Sequence, residues 1–525
     1  MSFTNVSHSI PYALVGLVVV AIASIKWLRV AQREHYVPGY VVRFASRWYF
    51  SRESTANTSI AVVLAFAFIA AISRPHSPEV AIPALALGVV AAVFSPVGLG
   101  YKGRSSKLAW TRRAKVLYAS TLAITAVLSV LAYLANLSAG LATVFVIFSP
   151  LLMDLASYVT RPFERRALDP FVKSAAAKLD QVNPVRVGIT GSYGKTSTKN
   201  YIAQLASESL TVLASPASFN NRGGLARAVN ENLLPGTQVF IAEMGTYQKG
   251  EIASLVEWVK PNIVAITAIG PVHLERFGSE DAILEAKREI ATDASTVVLN
   301  VDDKRLAGLA DELEREGRHV VRASGTDTAR EVSVVKDDAG NAAVYHHQRY
   351  LGSTSTPVAL SNLAVAVAIT LELGVPEEVI GKGLGGLKAA SSRLNVVTTE
   401  AGVTVIDDTY NSNPAGARLA LAQLEAHASQ GGRRVVVTPG MVELGSQQYD
   451  ENRALGVAIG VAATHICIVG LTNRRALLAG AKEGGGRLIT LLEFRTRERA
   501  VEWVRQNLGS GDAVLYENDL PDHFA

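Results

Sequence analysis

Hydrophobic and polar positions divide this 525-residue chain into two textures. Up to about residue 160 the apolar positions form long runs: 10–28 (IPYALVGLVVVAIASIKWL), 57–73, 80–99, 116–135 and 141–158. A bilayer core about 30 Å thick takes roughly 20 apolar helical residues, so these five runs predict a helical transmembrane bundle. From residue 185 the runs shorten, and helical stretches separate them: VRVGIT, QVFIAEM, NIVAITAI, TVVLNV. Strands alternating with helices predict parallel βαβ units in a sheet covered on both faces. GVTVIDDTY, RRVVVTPGM, THICIVG, RLITLL and DAVLYEND repeat the pattern over residues 396–525, predicting a second, Rossmann-like αβ domain. Between the two textures, RPFERRALDPFVKSAAAKLD (161–180) is mixed and polar. It suits a short interfacial helix or a linker ending at Pro184.

Charge orients the apolar runs. The link after the first run carries Arg29, Arg33, Arg43, Arg47 and Arg52, and the link at 100–115 carries Lys102, Arg104, Lys107, Arg112, Arg113 and Lys115. The other two links hold only Arg74, while Arg161, Arg165 and Arg166 follow the last run. The positive-inside rule then places the N-terminus outside and everything after residue 160 in the cytoplasm. That alternation argues against a hydrophobic soluble domain. The leading MSFTNVSHSI lacks the positive charge of a cleaved signal, so the first run is read as an anchor. Trp27, Trp48 and Trp110 flank the runs as interfacial anchors would. Asp154 falls inside the last run, where a carboxylate is a functional candidate; its nearness to the cytoplasmic end favours simple access to water.

Composition changes little. The formal net charge of +5 is accounted for by topology, so no nucleic-acid partner is required, and the hydrophobic fraction of 49% reflects the N-terminal runs. A single cysteine, Cys467, excludes an internal disulfide.

Candidate chemistry begins at VGITGSYGKTSTKN (187–200), a strand breaking into a Gly-rich turn. Backbone N–H groups around Gly191, Ser192 and Gly194 can close on phosphate oxygens at a helix N-terminus. Lys195 adds a mobile charge, and the hydroxyls of Thr196 and Ser197 follow, with Thr196 able to reach Mg²⁺. The spacing is a variant, since Ile189 stands where a strict P-loop has glycine. Glu243 ends the strand VFIAE, where a carboxylate suits a hard cation bridging to phosphates; the plainer alternative is a capping or surface glutamate. His273 and Lys287 lie fourteen residues apart in one loop-helix segment. Asp407 and Asp408 end another strand, and either could bind a ribose or an amine. An Asx-rich turn before a helix is the alternative there.

GITGSYGKTSTK resembles the ATP loop of the Mur ligases, which build the peptide stem of the bacterial cell wall. The resemblance continues in order through IAEMGTYQKGEI, ITAIGPVHLERFGSEDAILEAKREI, VVLNVDD and IDDTYNSNP, covering residues 185–525. It is nearest to the D-alanyl-D-alanine-adding type. The resemblance implies a central ATP-binding domain over 185–395 and a C-terminal domain over 396–525, preceded here by a transmembrane domain (1–160) and an interfacial linker helix (161–184). It implies ATP and two Mg²⁺ sites, with Thr196, Glu243, His273 and Lys287 as metal ligands and Lys287 carbamylated by CO₂. Asn300 would lie near the adenine, Arg393 at the γ-phosphate and Asp408 on the ribose, with Tyr410, Asn411 and Asn413 lining the amine pocket. Asn362 matches a family asparagine, but Val358 stands in place of the histidine that usually precedes it. TPGMVELG lacks the family's Gly-Asp pair, and YENDLPDHFA departs from its Lys-Gly-Ser ending.

The implied reaction is ATP-driven amide formation through an acyl phosphate, at the inner membrane of a bacterium, with Lys195, Glu243, His273, Lys287 and Arg393 as the catalytic set. The membrane spans stand where soluble relatives carry a UDP-binding domain, so the expected acceptor is a lipid-linked or UDP-linked muropeptide and the expected amine is D-alanyl-D-alanine. A ligase for another surface amide polymer, such as poly-γ-glutamate, and a non-catalytic ATP-binding membrane scaffold are the alternatives.

Overall fold

A computed structural model of the chain describes residues 3–50, 54–74, 77–103, 107–135, 137–216, 219–388, 395–409, 413–520 and 524. It contains two compact units, Met1–Ala167 with Leu520–Ala525, and Leu168–Asp519. Arg52 and Arg104 of the basic links, and Arg393, Tyr410 and Asn411 of the expected site, lie outside the described residues.

The first unit is helical: α1 (Phe3–Arg33), α2 (Tyr40–Tyr49), α3 (Thr55–Ser73), α4 (Pro78–Phe94), α5 (Arg112–Leu134), α6 (Ser138–Ile147) and α7, which begins at Ser149 and ends at Val182. Among the described residues three helices are long and apolar enough to cross a membrane, within α1, α3 and α5. The fifth run differs from the expected single span. It breaks at Phe148 into α6 and α7, bent by 72°, and counts as a fourth span only if the bent pair is one. α4 falls short at 17 residues. The stretch at 161–182, expected as a separate linker helix, is part of α7. Large apolar side chains face outward from α3 (Phe66, Ile69), α4 (Val90, Phe94) and α5 (Val127, Leu134).

Helix α2 buries Val41, Phe44, Ala45 and Trp48 while Val42 and Ser46 face out, the spacing of an amphipathic helix. Its N-cap, Gly39, has no side chain to satisfy the first-turn N–H groups. Asp154 of α7 supplies the missing acceptors: Oδ2 takes Val42 N–H at 2.8 Å and Oδ1 takes Val41 N–H at 3.3 Å. Its carboxylate therefore has a capping role. Trp27 and Trp48 are buried in this unit's core, and only Trp110 of the three is exposed.

The second unit holds two sheets. The larger is built from β1 (Val185–Thr190), β2 (Val212–Ala214), β3 (Val239–Glu243), β4 (Ile263–Ile266), β5 (Thr296–Asn300), β6 (His319–Ser324), β7 (Val332–Lys336), β8 (Ala342–His346) and β9 (Arg349–Thr354), in the order β2-β3-β1-β4-β5-β6-β7-β8-β9. It is parallel from β2 to β7, and β8 and β9 add an antiparallel edge. Alternation along each strand builds two cores. Phe240, Ala242, Val264, Ile266, Val297 and Leu299 face one, and Val239, Ile241, Ile263, Ala265 and Val298 face the other. The helix Leu360–Glu372 is apolar all round because it fills the second core, with Leu363 to Thr370 buried.

The smaller sheet comprises β10 (Asn395–Thr398), β11 (Thr404–Asp408), β12 (Arg434–Thr438), β13 (His465–Val469), β14 (Thr490–Phe494) and β15 (Ala513–Glu517), ordered β10-β11-β15-β12-β13-β14. All pairs are parallel except the edge pair β10–β11.

Candidate active site

Strand β1 lies between β3 and β4, where the strand order of the larger sheet reverses. Loops leaving the carboxyl ends of neighbouring strands diverge at such a point and leave a crevice for ligand. The loop after β1 runs into α8 (Lys195–Ala206). Two of its glycines are required by the fold. Gly191 sits at φ 153°, where a Cβ would come 2.0 Å from Thr267 Oγ1. Gly194 sits at φ 81°, where a Cβ would come 2.1 Å from Asn362 Oδ1. The Asn362 side chain therefore lies against the phosphate loop even though the histidine expected before it is absent. Lys195 folds back over the loop, donating to Gly191 O at 2.6 Å. Ser192 ties the loop to the segment after β4: its N–H donates to Ala268 O at 2.8 Å, and its hydroxyl bonds Gly270 at 3.1 Å. Ser197 is buried in the first turn of α8.

Glu243, at the end of β3, is the centre of a buried polar cluster. Its Oε2 accepts from Thr196 Oγ1 at 2.9 Å and from Lys199 Nζ at 3.1 Å, and Asn220 Nδ2 lies 3.4 Å from Oε1. Lys199 also donates to Ser215 O at 2.8 Å. Thr196 and Glu243 present hard oxygen donors directly beneath the phosphate loop, a donor set that fits Mg²⁺. Lys199 did not figure among the sequence candidates. Its signal was its spacing, one turn beyond Lys195 on the same helix.

Helices α9 (Arg222–Asn232) and α10 (Glu251–Val259) precede β3 and β4, and the segment after β4 leads directly to α11 (Leu274–Phe277) and α12 (Glu280–Arg288). Helix α12 is well specified: Ser279 Oγ caps it at Ala282 N–H (3.1 Å), with Glu280 and Asp281 in its first turn and Lys287 and Arg288 in its last. Its buried face is Ile283, Ala286 and Lys287. Burial drives the Lys287 pKa well below the ordinary lysine value, and the Lys195 cation lowers it further. The amine is thus held towards its neutral form close to the phosphate loop. A neutral amine is the form that can take up CO₂, so Lys287 fits the carbamate chemistry.

His273 joins a second cluster. Its Nδ1 pairs with Glu443 Oε2, and Arg276 Nη2 meets Glu443 Oε1 at 2.9 Å. The Tyr247 ring lies edge-on to His273 with centroids 4.9 Å apart. One ring nitrogen of His273 is thus committed to Glu443. Asn300 is bound within the fold: Nδ2 donates to Thr267 O at 2.9 Å and Oδ1 accepts Asp302 N–H at 3.2 Å.

In the smaller sheet Asp408 ends β11, buried and in register with Glu517 of β15, while Asp407 is exposed and accepts Thr409 N–H at 3.1 Å. Asn413 caps the helix Pro414–His427 through Gly416 N–H at 2.9 Å, the Asx-turn geometry. Among the described residues one other group could hold a metal: Glu331, His346 and His347, with ligand atoms within 4.8 Å of one another. His346 pairs with Val332, the first residue of β7, which is itself in register with Ala323 near the carboxyl end of β6.

Residues 189–369 match the Mur ligase middle domain, and residues 392–516 match the Mur ligase glutamate ligase domain. The chain is 31% identical over 386 residues to the UDP-N-acetylmuramoyl-tripeptide–D-alanyl-D-alanine ligase of Mycobacterium leprae, covering 66% of this chain and 74% of that one. The Bacillus subtilis enzyme of the same name is 30% identical over 360 residues, covering 65% and 75%. Among solved structures, MurF from Acinetobacter baumannii superposes with a TM-score of 0.57 at 26% identity, covering 66% of this chain and 77% of that one.

Proposed function

We propose that this chain, which belongs to the Mur ligase family of ATP-dependent ligases, joins the amine of D-alanyl-D-alanine to the carboxylate of a muramoyl tripeptide in peptidoglycan synthesis. The observation that carries the reading is the Thr196–Glu243–Lys199 cluster directly under the phosphate loop, with neutral-leaning Lys287 electrostatically coupled to Lys195. The names of the Mycobacterium leprae and Bacillus subtilis relatives supply the substrates.

In this reading the loop from Gly191 to Ser197 and Lys195 grip the phosphates of ATP, and Lys195 leaves its resting bond to Gly191 O to do so. Arg393 meets the γ-phosphoryl, Asn300 borders the adenine and Asp408 takes the ribose. Thr196 and Glu243 would hold one Mg²⁺, and His273 with a carbamylated Lys287 the other; bound there, the cations would supply positive charge against that gathered on the γ-phosphoryl. The substrate carboxylate attacks the γ-phosphorus and ADP leaves. The amine, lined up by Asp407, Tyr410, Asn411 and Asn413, attacks the acyl carbon, phosphate leaves and the amine loses a proton. No covalent protein nucleophile is needed, since phosphoryl transfer is chiefly positioning and electrostatics.

The helical unit is read as a membrane domain. Three span-length apolar helices and the outward apolar faces of α3, α4 and α5 support that reading. The tripeptide acceptor is then carried on a lipid that the membrane domain presents, with the UDP-linked form as the competing handle. The test is phosphate release by the full-length, detergent-purified protein with Mg²⁺ and ATP, using D-alanyl-D-alanine, D-alanine, L-glutamate or glycine with UDP-linked or lipid-linked muropeptide. Lys195→Ala is the blank. Turnover with D-alanyl-D-alanine on either acceptor supports the ligase, and preference for the lipid-linked one supports the membrane handle. Turnover only with L-glutamate moves the reading to a polymer of the poly-γ-glutamate kind. ATP binding without amine-dependent turnover would leave a scaffold.

A further inference from the structure

The loop after β12, residues 439–445, is partly buried and firmly held. Asn452 bonds both the N–H and the O of Met441, at 2.7 and 2.9 Å. Asn473 Nδ2 donates to Pro439 O and Met441 O, both at 2.9 Å, and Asn518 Nδ2 donates to Gly440 O at 2.6 Å. Three asparagine side chains thus clamp this stretch of backbone. What the clamp presents is Glu443, a non-glycine residue in the left-handed region at φ 64°. Such a conformation is strained for a residue with a side chain and persists only where surrounding contacts over-determine it.

Here those contacts come from the other αβ domain. One carboxylate oxygen of Glu443 meets His273 Nδ1 and the other meets Arg276 Nη2. The Glu443 carbonyl accepts Glu275 N–H at 3.2 Å, and Gln447 Nε2 reaches Glu280 Oε1 at 3.3 Å. His273 is itself left-handed, at φ 61°, so its ring direction is not set by an ordinary helix or strand. Tyr247 closes the cluster, edge-on to His273 and 4.7 Å under the Arg276 guanidinium.

We propose that Glu443 is the positioning residue of His273. By accepting from Nδ1 it fixes the imidazole's tautomer and orientation, leaving Nε2 as the lone-pair donor for the second cation. A carboxylate behind a ligating imidazole does this in metal sites generally. Because Glu443 belongs to the C-terminal αβ domain and His273 to the central one, the second cation site is complete only when the two domains meet through this contact. The proposal rests on the reading of His273 as a cation ligand.

The test uses full-length protein with a non-hydrolysable ATP analogue and Mn²⁺ as the probe, counting and titrating bound Mn²⁺ by electron paramagnetic resonance. Expected is a 10- to 100-fold weaker second Mn²⁺ in Glu443→Ala. Glu443→Gln, whose amide oxygen still accepts from Nδ1, should show a smaller loss. The double variant with His273→Ala should be no weaker than His273→Ala alone. A lower melting temperature in Glu443→Ala with both Mn²⁺ affinities unchanged, while His273→Ala weakens one, overturns the positioning role and leaves the ligand reading standing. Two undisturbed Mn²⁺ sites in His273→Ala would overturn the ligand reading, and the proposal with it.

Discussion

Lys199 Nζ lies 3.1 Å from Glu243 Oε2, with both side chains 2% exposed, and Thr196 Oγ1 meets the same oxygen at 2.9 Å. The pair stands between the phosphate loop and β3, so the carboxylate that would face a cation is already held in place by one. Removing one partner of a buried pair leaves an uncompensated charge, which costs about 3–5 kcal/mol. Lys199→Met is therefore expected to lower thermal stability sharply. Lys199→Met with Glu243→Gln should recover part of the loss, because neither charge is then left alone. Melting curves of the two singles and the double check it, and strictly additive losses would contradict the coupling.

Asp154, expected from its place near the end of a membrane run to reach water, is instead buried and holds a helix start. Its two oxygens take the first N–H groups of α2, whose N-cap is a glycine. Loss of a cap costs about 1 kcal/mol. Asp154→Ala should thus reduce stability by that order while leaving amine-dependent phosphate release within about twofold of wild type. A collapse of turnover at unchanged melting temperature would return Asp154 to the list of functional carboxylates.

Lys287 is buried beside the Lys195 charge, and both effects favour its neutral amine. Carbamylation of that amine is expected to be visible as a ¹³C resonance after exchange with labelled bicarbonate, absent in Lys287→Arg. Turnover in CO₂-depleted buffer should fall and recover on adding bicarbonate. Lys287→Arg should lose activity on the order of 10²-fold, the scale of removing one preorganised electrostatic group.

Elements with strong local signals were legible in the sequence. The strand-turn-helix around Lys195, Glu243 at a strand end and Asp408 at another all stand where alternation and the loop rule put them. What escaped depended on partners distant in the chain. Lys199 reads as a solvated lysine until Glu243, 44 residues on, is folded against it. Glu443 belongs to a stretch whose departure from the family pattern was plain, yet its contact with His273 spans 170 residues. The break between α6 and α7 had a local sign, Pro150 inside an apolar run, but the uninterrupted hydrophobicity around it outweighed that sign. α2 was overlooked because a short amphipathic helix in a basic link looks like link.

Cys467, on β13, is fully buried, and burial pushes its thiol pKa up to about 12. The thiolate is the reactive form. At pH 8 the folded protein should therefore resist alkylation by iodoacetamide, and denaturant should release one labelled thiol per chain. Because the smaller sheet surrounds Cys467, the labelling rate also reports opening of the C-terminal domain alone. Saturating ATP analogue and Mg²⁺ should slow it if ligand draws the two αβ domains together, as mass spectrometry of the labelled fraction would record.

Gly194 offers the sharpest separation of loop geometry from stability. At φ 81° a side chain is strained, and a Cβ there would also come 2.1 Å from Asn362 Oδ1. Gly194→Ala should therefore move the loop, weakening binding of a fluorescent ATP analogue at least tenfold, while the helical unit and the C-terminal domain, distant in the chain, melt as before. Asn362→Ala removes the clash and leaves the backbone strain. In the double variant, binding should be partly restored, by the share of the defect that was contact and not conformation. Full restoration would mean that the left-handed φ is not required for phosphate binding. No restoration would mean that it carries the whole effect and that Asn362 only fills the space behind it.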